Sequence, residues 1–228
     1  LLFWFGRVRQ VRTFEYYSYP VMILAIGSLV RDWGMALGDR LSRNAGFDRT
    51  PLMNGDFVTG LVFVAAFFLI FQTNRDRRNK AVFGPEIVRR FGGVIAAVAI
   101  VALYNTFRVE IANYFPLQTL AAGIISPMSA LTEPTLTAGY DIVRLNASWQ
   151  LVYTMFFLTG IAAVNLKRAR SAILAFVGVA LSVLMLAIFS TAGMYLFSQM
   201  RIGYMLHPQD VSDVVLPMNI LIRYITYL

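Results

Sequence analysis

Residues 171–200 read SAILAFVGVALSVLMLAIFSTAGMYLFSQM, thirty consecutive residues without a charged side chain. At about 1.5 Å of rise per residue, a helix of this length exceeds the ~30 Å hydrocarbon core of a bilayer. A bilayer offers no water to exposed backbone groups, and the apolar runs of this chain lack the alternation of barrel strands. The sequence therefore predicts an all-α fold, a polytopic transmembrane helical bundle.

The composition also favours a membrane protein. The chain is 58% hydrophobic and 14% charged, against about 25% charged residues in soluble domains. Its net charge of +8 comes from short basic clusters between apolar runs, so no nucleic-acid partner is expected. The chain has no cysteine and one histidine, which excludes disulfides, thiolate metal sites and paired-histidine haem sites within it. No metal and no cofactor are expected.

Five complete spans are predicted, with partial spans at both ends of the chain. The complete spans cover residues 13–37, 57–74, 91–107, 145–166 and 171–200. Residues 121–132 are also uncharged. Pro116 and Pro127 predict breaks in the helix around them, so this stretch is expected to be re-entrant or interfacial.

The distribution of Lys and Arg predicts an orientation. Twelve lie on one side of the predicted spans and seven on the other, and the clusters at 75–90 and 167–170 belong to the larger group. Basic residues concentrate in cytoplasmic loops, so both clusters are predicted to be cytoplasmic, in a bacterial inner membrane. The apolar ends, 1–5 and 220–222, predict that residues 1–228 form one transmembrane region inside a longer multi-pass protein.

Five polar residues near the ends of predicted spans are candidates for a solute or ion path: Arg31, Asp32, Arg108, Glu110 and Asn113. An ionisable group costs several kcal/mol in lipid, so such residues face protein or a water-filled cavity. The alternative for Arg108, Glu110 and Asn113 is a helix end whose charges reach into water. Cross-helix pairs are a further alternative, for example Arg31 with Glu110, or Asp32 with Arg108 or Arg223.

No catalytic residue is predicted. His207 stands alone beside Pro208, with no Gly-x-Ser-x-Gly elbow and no glycine-rich phosphate loop in the chain. Small residues four positions apart, such as Gly178 with Ser182, predict close helix packing.

Three segments carry a resemblance to a known family. They are YNTFRVEIANYF at 104–115, GMYLFSQMR at 193–201 and NILIRYI at 219–225. In order and spacing they resemble domain of unknown function 2339, a family of uncharacterised multi-pass bacterial membrane proteins. The resemblance implies that the chain is one stretch of a longer bundle, and it implies no substrate, cofactor or catalytic residue.

These patterns favour three functions, in decreasing order of preference. The first is a transporter or permease-like protein for an unidentified solute, with the candidate residues lining a cavity near the middle of the membrane. The second is a structural or assembly subunit of a membrane complex, and the third is a membrane enzyme acting on lipid or lipid-linked substrates. The expected partners are the lipid bilayer and the remaining transmembrane helices of the same or associated chains.

Overall fold

A computed structural model describes residues 1–38, 52–76, 81–121 and 136–199, and within these ranges it contains helices and no strands. The helices are α1 (Leu2–Val8), α2 (Arg12–Gly38), α3 (Gly55–Arg75), α4 (Pro85–Ala121), α5 (Leu136–Val164) and α6 (Ala172–Ile188). Single π-helical turns follow α5 at Asn165–Ala169 and α6 at Phe189–Gly193. The predicted all-α class is confirmed.

Four segments are long and apolar enough to cross a membrane: Gly55–Arg75, Pro85–Tyr114, Arg144–Arg168 and Ala172–Gln199. They coincide with the last four predicted spans. The first predicted span, 13–37, corresponds to α2, a helix of 27 residues that is not among these four. The chain is thus a multi-pass membrane protein with four candidate spans among the described residues.

The chain divides into two compact units, Leu1–Glu110 and Ile111–Leu228. In the first unit, the core contains one large buried side chain from each of four helices: Phe3 of α1, Met22 of α2, Phe67 of α3 and Ile95 of α4. Aromatic rings of α2 and α4 extend this core. Tyr19 packs edge-on against Phe91 with ring centroids 5.2 Å apart, and Phe91 also lies 5.9 Å from the ring of Phe3 on α1. Close packing of this kind holds helices together in lipid, where burying apolar surface gains little.

One close contact between α3 and α4 is made by Gly60, a glycine that the sequence pattern did not single out. A Cβ on Gly60 would lie 2.5 Å from Oγ1 of Thr106, and the Thr106 hydroxyl donates to the carbonyl of Ala102 at 2.8 Å. At Gly178, where the spacing of small residues predicts close helix packing, no described atom lies within 4 Å of a Cβ built there, so that contact stays a prediction. Ser182 instead donates to the carbonyl of Gly178 within α6.

The predicted helix break at Pro116 is wrong, because α4 continues through Pro116 to Ala121. A proline lacks the N–H that would bond to the carbonyl four residues earlier, here that of Ala112. That carbonyl accepts a hydrogen bond from the side-chain amide of Asn146 on α5, at 3.1 Å. Pro127 and most of the predicted re-entrant stretch 121–132 lie outside the described residues.

The connection from α5 to α6 is a tight turn fixed by one amide. Oδ1 of Asn165 accepts from the backbone N–H of Ser171 at 2.9 Å, and its Nδ2 donates to the Ser171 carbonyl at 3.1 Å. Between them, Arg170 adopts a left-handed conformation with φ 46°. The hydroxyl of Ser171 then caps the first turn of α6, so the basic cluster at 167–170 sits in an ordered turn.

Candidate functional site

A buried polar cluster joins α1, α2 and α3 at one end of the first unit. Nε of Arg7 lies 2.8 Å from Oε1 of Glu15, and both side chains are almost fully buried, at 2% and 1% exposure. Nη2 of Arg7 donates to Oδ1 of Asn74 at 3.0 Å, and the Tyr19 hydroxyl donates to Oε1 of Glu15 at 3.1 Å. The opposite charges of Arg7 and Glu15 compensate each other, which is what burial of a charge requires.

The local sequence brings α1 against α2 closely enough for this ion pair. A Cβ on Gly6 would lie 2.7 Å from the backbone nitrogen of Glu15, so only glycine permits the approach. Gln10 turns the chain with a positive φ of 58°, and its Nε2 donates to the carbonyl of Arg7 at 2.8 Å. The turn between the two helices therefore positions the last turn of α1 beside the first turn of α2.

Asn74 extends the cluster from α3 to α4. Its Nδ2 donates to the carbonyl of Val88 at 2.9 Å, while its Oδ1 accepts from Arg7. A Cβ on Gly92 would lie 2.9 Å from Nδ2 of Asn74, so this glycine leaves room for the amide. One side chain thus links the end of α3 to both α1 and α4.

A cavity of about 870 Å³ adjoins this cluster. Its inner wall includes Arg7 and Asn74, and Arg75 and Arg89 are exposed side chains on its lining. A smaller cavity of about 250 Å³ shares Arg7, Phe83 and Val88 with it and is also lined by Tyr19, Ile87 and Phe91. Basic side chains and aromatic walls therefore meet where α3 ends and α4 begins.

A second polar contact holds the opposite end of α3. The carboxylate of Glu110 accepts hydrogen bonds from Nδ2 of Asn54, at 3.0 Å to Oε1 and 2.9 Å to Oε2. It also accepts from the backbone N–H of Leu52 at 2.8 Å. Oδ1 of Asn54 in turn accepts from the N–H of Phe57 at 2.8 Å, which caps the start of α3. Glu110 therefore fixes the residue that begins a neighbouring helix.

The structure places the five predicted path residues in different surroundings. Arg31 and Arg108 are exposed, whereas Asp32, Glu110 and Asn113 are half-buried. The described contacts of Glu110 are with Leu52 and Asn54, not with the suggested partner Arg31. Arg223, one of the two partners suggested for Asp32, lies outside the described residues, as does His207. A path lined by these side chains stays a prediction.

Apart from Glu110, sequence reasoning missed the residues that build the described polar contacts. Among them, Asn146, Gln150 and Thr154 recur every four residues along α5, and Nε2 of Gln150 donates to Oδ1 of Asn146 at 3.0 Å. That periodicity was the available signal, because polar residues four apart share one face of a helix. Asn54 also precedes the apolar run of α3 in the position favoured for a capping residue.

The described residues show no group of three or more acidic, histidine or cysteine side chains that could hold a metal ion. Comparison with known proteins gives no relative: no family model, no curated protein and no solved structure matches this chain.

Proposed function

We propose that this chain is a structural or assembly subunit of a membrane complex, built to pack against further transmembrane helices of the same or associated chains. The supporting observation is that the rest of this chain buries little of each candidate span. Each span has a most apolar window of 18 residues. The buried share of that window is 17% for Gly55–Arg75, 17% for Pro85–Tyr114, 11% for Arg144–Arg168 and 0% for Ala172–Gln199. An apolar face that no described part of this chain covers is available to lipid or to further transmembrane helices.

The placement of charge supports the same proposal. A carboxylate that serves a solute path faces the path and keeps oxygen atoms available to the solute. Both oxygens of Glu110 instead accept hydrogen bonds from Asn54, and Oε1 also accepts from Leu52. Arg108, two residues away, is exposed. Glu110 thus has a structural role, because its hydrogen bonds hold the start of α3 in place.

A permease-like protein for an unidentified solute is the second candidate. It is favoured by the cavity of about 870 Å³ that opens between α3 and α4, since transport sites lie in cavities between helices. Membership of the family of domain of unknown function 2339, a bacterial inner-membrane location and an enzymatic role on lipid-linked substrates also stay proposals.

Exchanging the amide of Asn54 and the carboxylate of Glu110 tests whether their contact stabilises the fold. Asn54→Asp keeps the capping oxygen but places it against Glu110, so like-charge repulsion should lower the melting temperature in detergent. Glu110→Gln alone weakens the contact, because an amide offers one acceptor oxygen instead of two. Asn54→Asp combined with Glu110→Gln restores a donor opposite an acceptor. The double variant should therefore melt above the Asn54→Asp variant.

Arg108→Gln is the matched control, and the cellular phenotype of a deletion strain gives the second measurement. The structural proposal expects Arg108→Gln to restore the phenotype fully, with an unchanged melting temperature and an unchanged complex size on native gels. A folded Arg108→Gln variant of normal complex size that fails to complement would favour the permease and contradict the structural role.

A further inference from the structure

The turn that joins α5 to α6 presents three exposed basic side chains. They are Lys167, Arg168 and Arg170. No ion pair joins any of them to another described residue, and the sequence contains no Asp or Glu between Asp141 and Asp210. Neither the neighbouring sequence nor the described structure compensates the positive charge of this turn, so it favours an anion.

The backbone of the turn is held in place by a buried residue. Asn165 is 5% exposed, and its side-chain amide makes two hydrogen bonds with the backbone of Ser171. Its backbone carbonyl accepts a third hydrogen bond from the N–H of Arg170 at 2.7 Å. The basic side chains are therefore presented from an ordered backbone, which reduces the conformational freedom that is lost when a ligand binds.

Arg170 occupies a position that suits glycine better. Its φ is 46°, in the left-handed region that glycine adopts freely and that other residues adopt at a cost in free energy. Glycine is also the usual residue where a helix ends in this conformation. A basic residue elsewhere in the connection would orient the bundle equally well. The arginine at this position therefore indicates a use for its charge beyond orientation.

Apolar side chains flank the basic turn on both helices. The candidate span Arg144–Arg168 ends at the turn, and the span Ala172–Gln199 begins directly after it. Leu166 and Ile173, next to the basic residues, are 77% and 79% exposed. A soluble anion would contact only the cationic groups, whereas a phospholipid contacts the cationic groups with its headgroup and the apolar surface with its acyl chains.

We propose that this turn binds the headgroup phosphate of an anionic phospholipid through Lys167, Arg168 and Arg170. Basic side chains beside membrane-spanning helices attract anionic lipids, and each Lys or Arg near the membrane surface contributes about fivefold in affinity. The exposed apolar side chains on either side of the turn place acyl chains directly beside the three charges. The turn is thus a lipid contact with a fixed position on the bundle.

The test measures the melting temperature of the full chain in neutral detergent, with added phosphatidylglycerol, phosphatidylcholine or sodium phosphate at matched ionic strength. Phosphatidylglycerol should raise the melting temperature above the value in phosphatidylcholine, and sodium phosphate should not. Combining Lys167→Gln with Arg168→Gln should raise the amount of phosphatidylglycerol that gives half of the maximal shift, by about fivefold for each charge removed. An equal shift with phosphatidylcholine or with sodium phosphate would overturn the proposal.

Arg170→Gly separates the charge of this residue from its effect on the turn. Glycine adopts the left-handed conformation without cost, so the melting temperature in phosphatidylcholine should stay the same or rise. The response to phosphatidylglycerol should weaken about fivefold, because one charge is lost. An unchanged response of this variant would contradict the proposal. If the Lys167 and Arg168 variant fails to fold, the Arg170→Gly variant decides.

The matched control combines Arg89→Gln with Arg90→Gln, which also removes two exposed charges. Glu86 lies 3.9 Å from Arg90 across one helical turn, so part of the charge at this place is already compensated. The control should retain the response to phosphatidylglycerol. A loss equal to that of the Lys167 and Arg168 variant would show diffuse attraction of lipid to any basic residue, and the site at the turn would be refuted.

Discussion

The side-chain amide of Asn146 donates to the backbone carbonyl of Ala112 at 3.1 Å, and Ala112 is the residue whose helical partner would be the missing N–H of Pro116. The two residues belong to α5 and α4, within the second unit. Proline is tolerated inside a membrane helix where a neighbouring helix re-satisfies the freed backbone group. The contact therefore explains both the continuity of α4 and the presence of an amide in an apolar span.

Asn146→Ala should destabilise the protein because it leaves the Ala112 carbonyl without a partner away from water. The expected cost is about 1–3 kcal/mol. Pro116→Ala restores the N–H that bonds to this carbonyl, so Asn146→Ala should cost much less in a Pro116→Ala background. Reversible unfolding in mixed micelles measures all four proteins of the cycle. Equal costs of Asn146→Ala in both backgrounds would show that the contact does not compensate for the proline.

The Arg7–Glu15 pair should show strong energetic coupling. Removing one partner strands a buried charge, so Arg7→Met or Glu15→Gln alone should cost about 3–5 kcal/mol. The double variant should cost less than the sum, by roughly 0.5–3 kcal/mol. Unfolding of the two single variants and the double variant gives this coupling directly.

The exposed pair Glu86 and Arg90 is the control for that measurement. Its atoms are 3.9 Å apart and its side chains are 75% and 82% exposed, so removing it should show coupling of about 0.5 kcal/mol or less. Coupling of Arg7 with Glu15 no larger than in this control would mean that the buried pair is well hydrated in the membrane protein.

Gly60→Ala should disturb the contact between α3 and α4. The new methyl group would meet the Thr106 side chain at 2.5 Å, and overpacking of this kind costs about 1–3 kcal/mol. Thr106→Ala should recover part of the loss by making room. The control is Gly178→Ala, where no described atom lies within 4 Å of the new methyl group. Alanine favours helix by about 1 kcal/mol over glycine, so this control should be neutral or stabilising.

Hydropathy was sufficient to predict the helices, but it was not sufficient to predict the contacts between them. The spans 57–74, 91–107 and 145–166 were predictable because a long uncharged run has only one economical structure in lipid. The spacing of small residues singled out Gly178, whereas the close contact among the described residues is the one between Gly60 and Thr106. Small residues are common in membrane helices, and their spacing does not say which face meets a neighbour.

The candidate site was predictable only in part, for a related reason. The polar strip through Glu110 was visible, but its partner Asn54 lies 56 residues earlier in the chain. Arg7 and Glu15 stand near the ends of adjacent helices, and only the turn at Gln10 with the glycine at Gly6 brings them together. Pairing of this kind depends on helix adjacency, which a single sequence does not contain.

The final prediction concerns the orientation of the bundle. Asn79→Cys and Ala169→Cys, placed in the two basic clusters of a chain without cysteine, should react with an impermeant maleimide only after the cells are permeabilised. Met53→Cys should react in intact cells, because α3 spans 21 residues, about 30 Å at 1.5 Å per residue, and separates residue 53 from the cluster after Arg75. Met53 is 85% exposed, so access of the reagent does not limit this control. Labelling of Asn79→Cys or Ala169→Cys in intact cells would contradict the orientation, since basic clusters favour the cytoplasmic side.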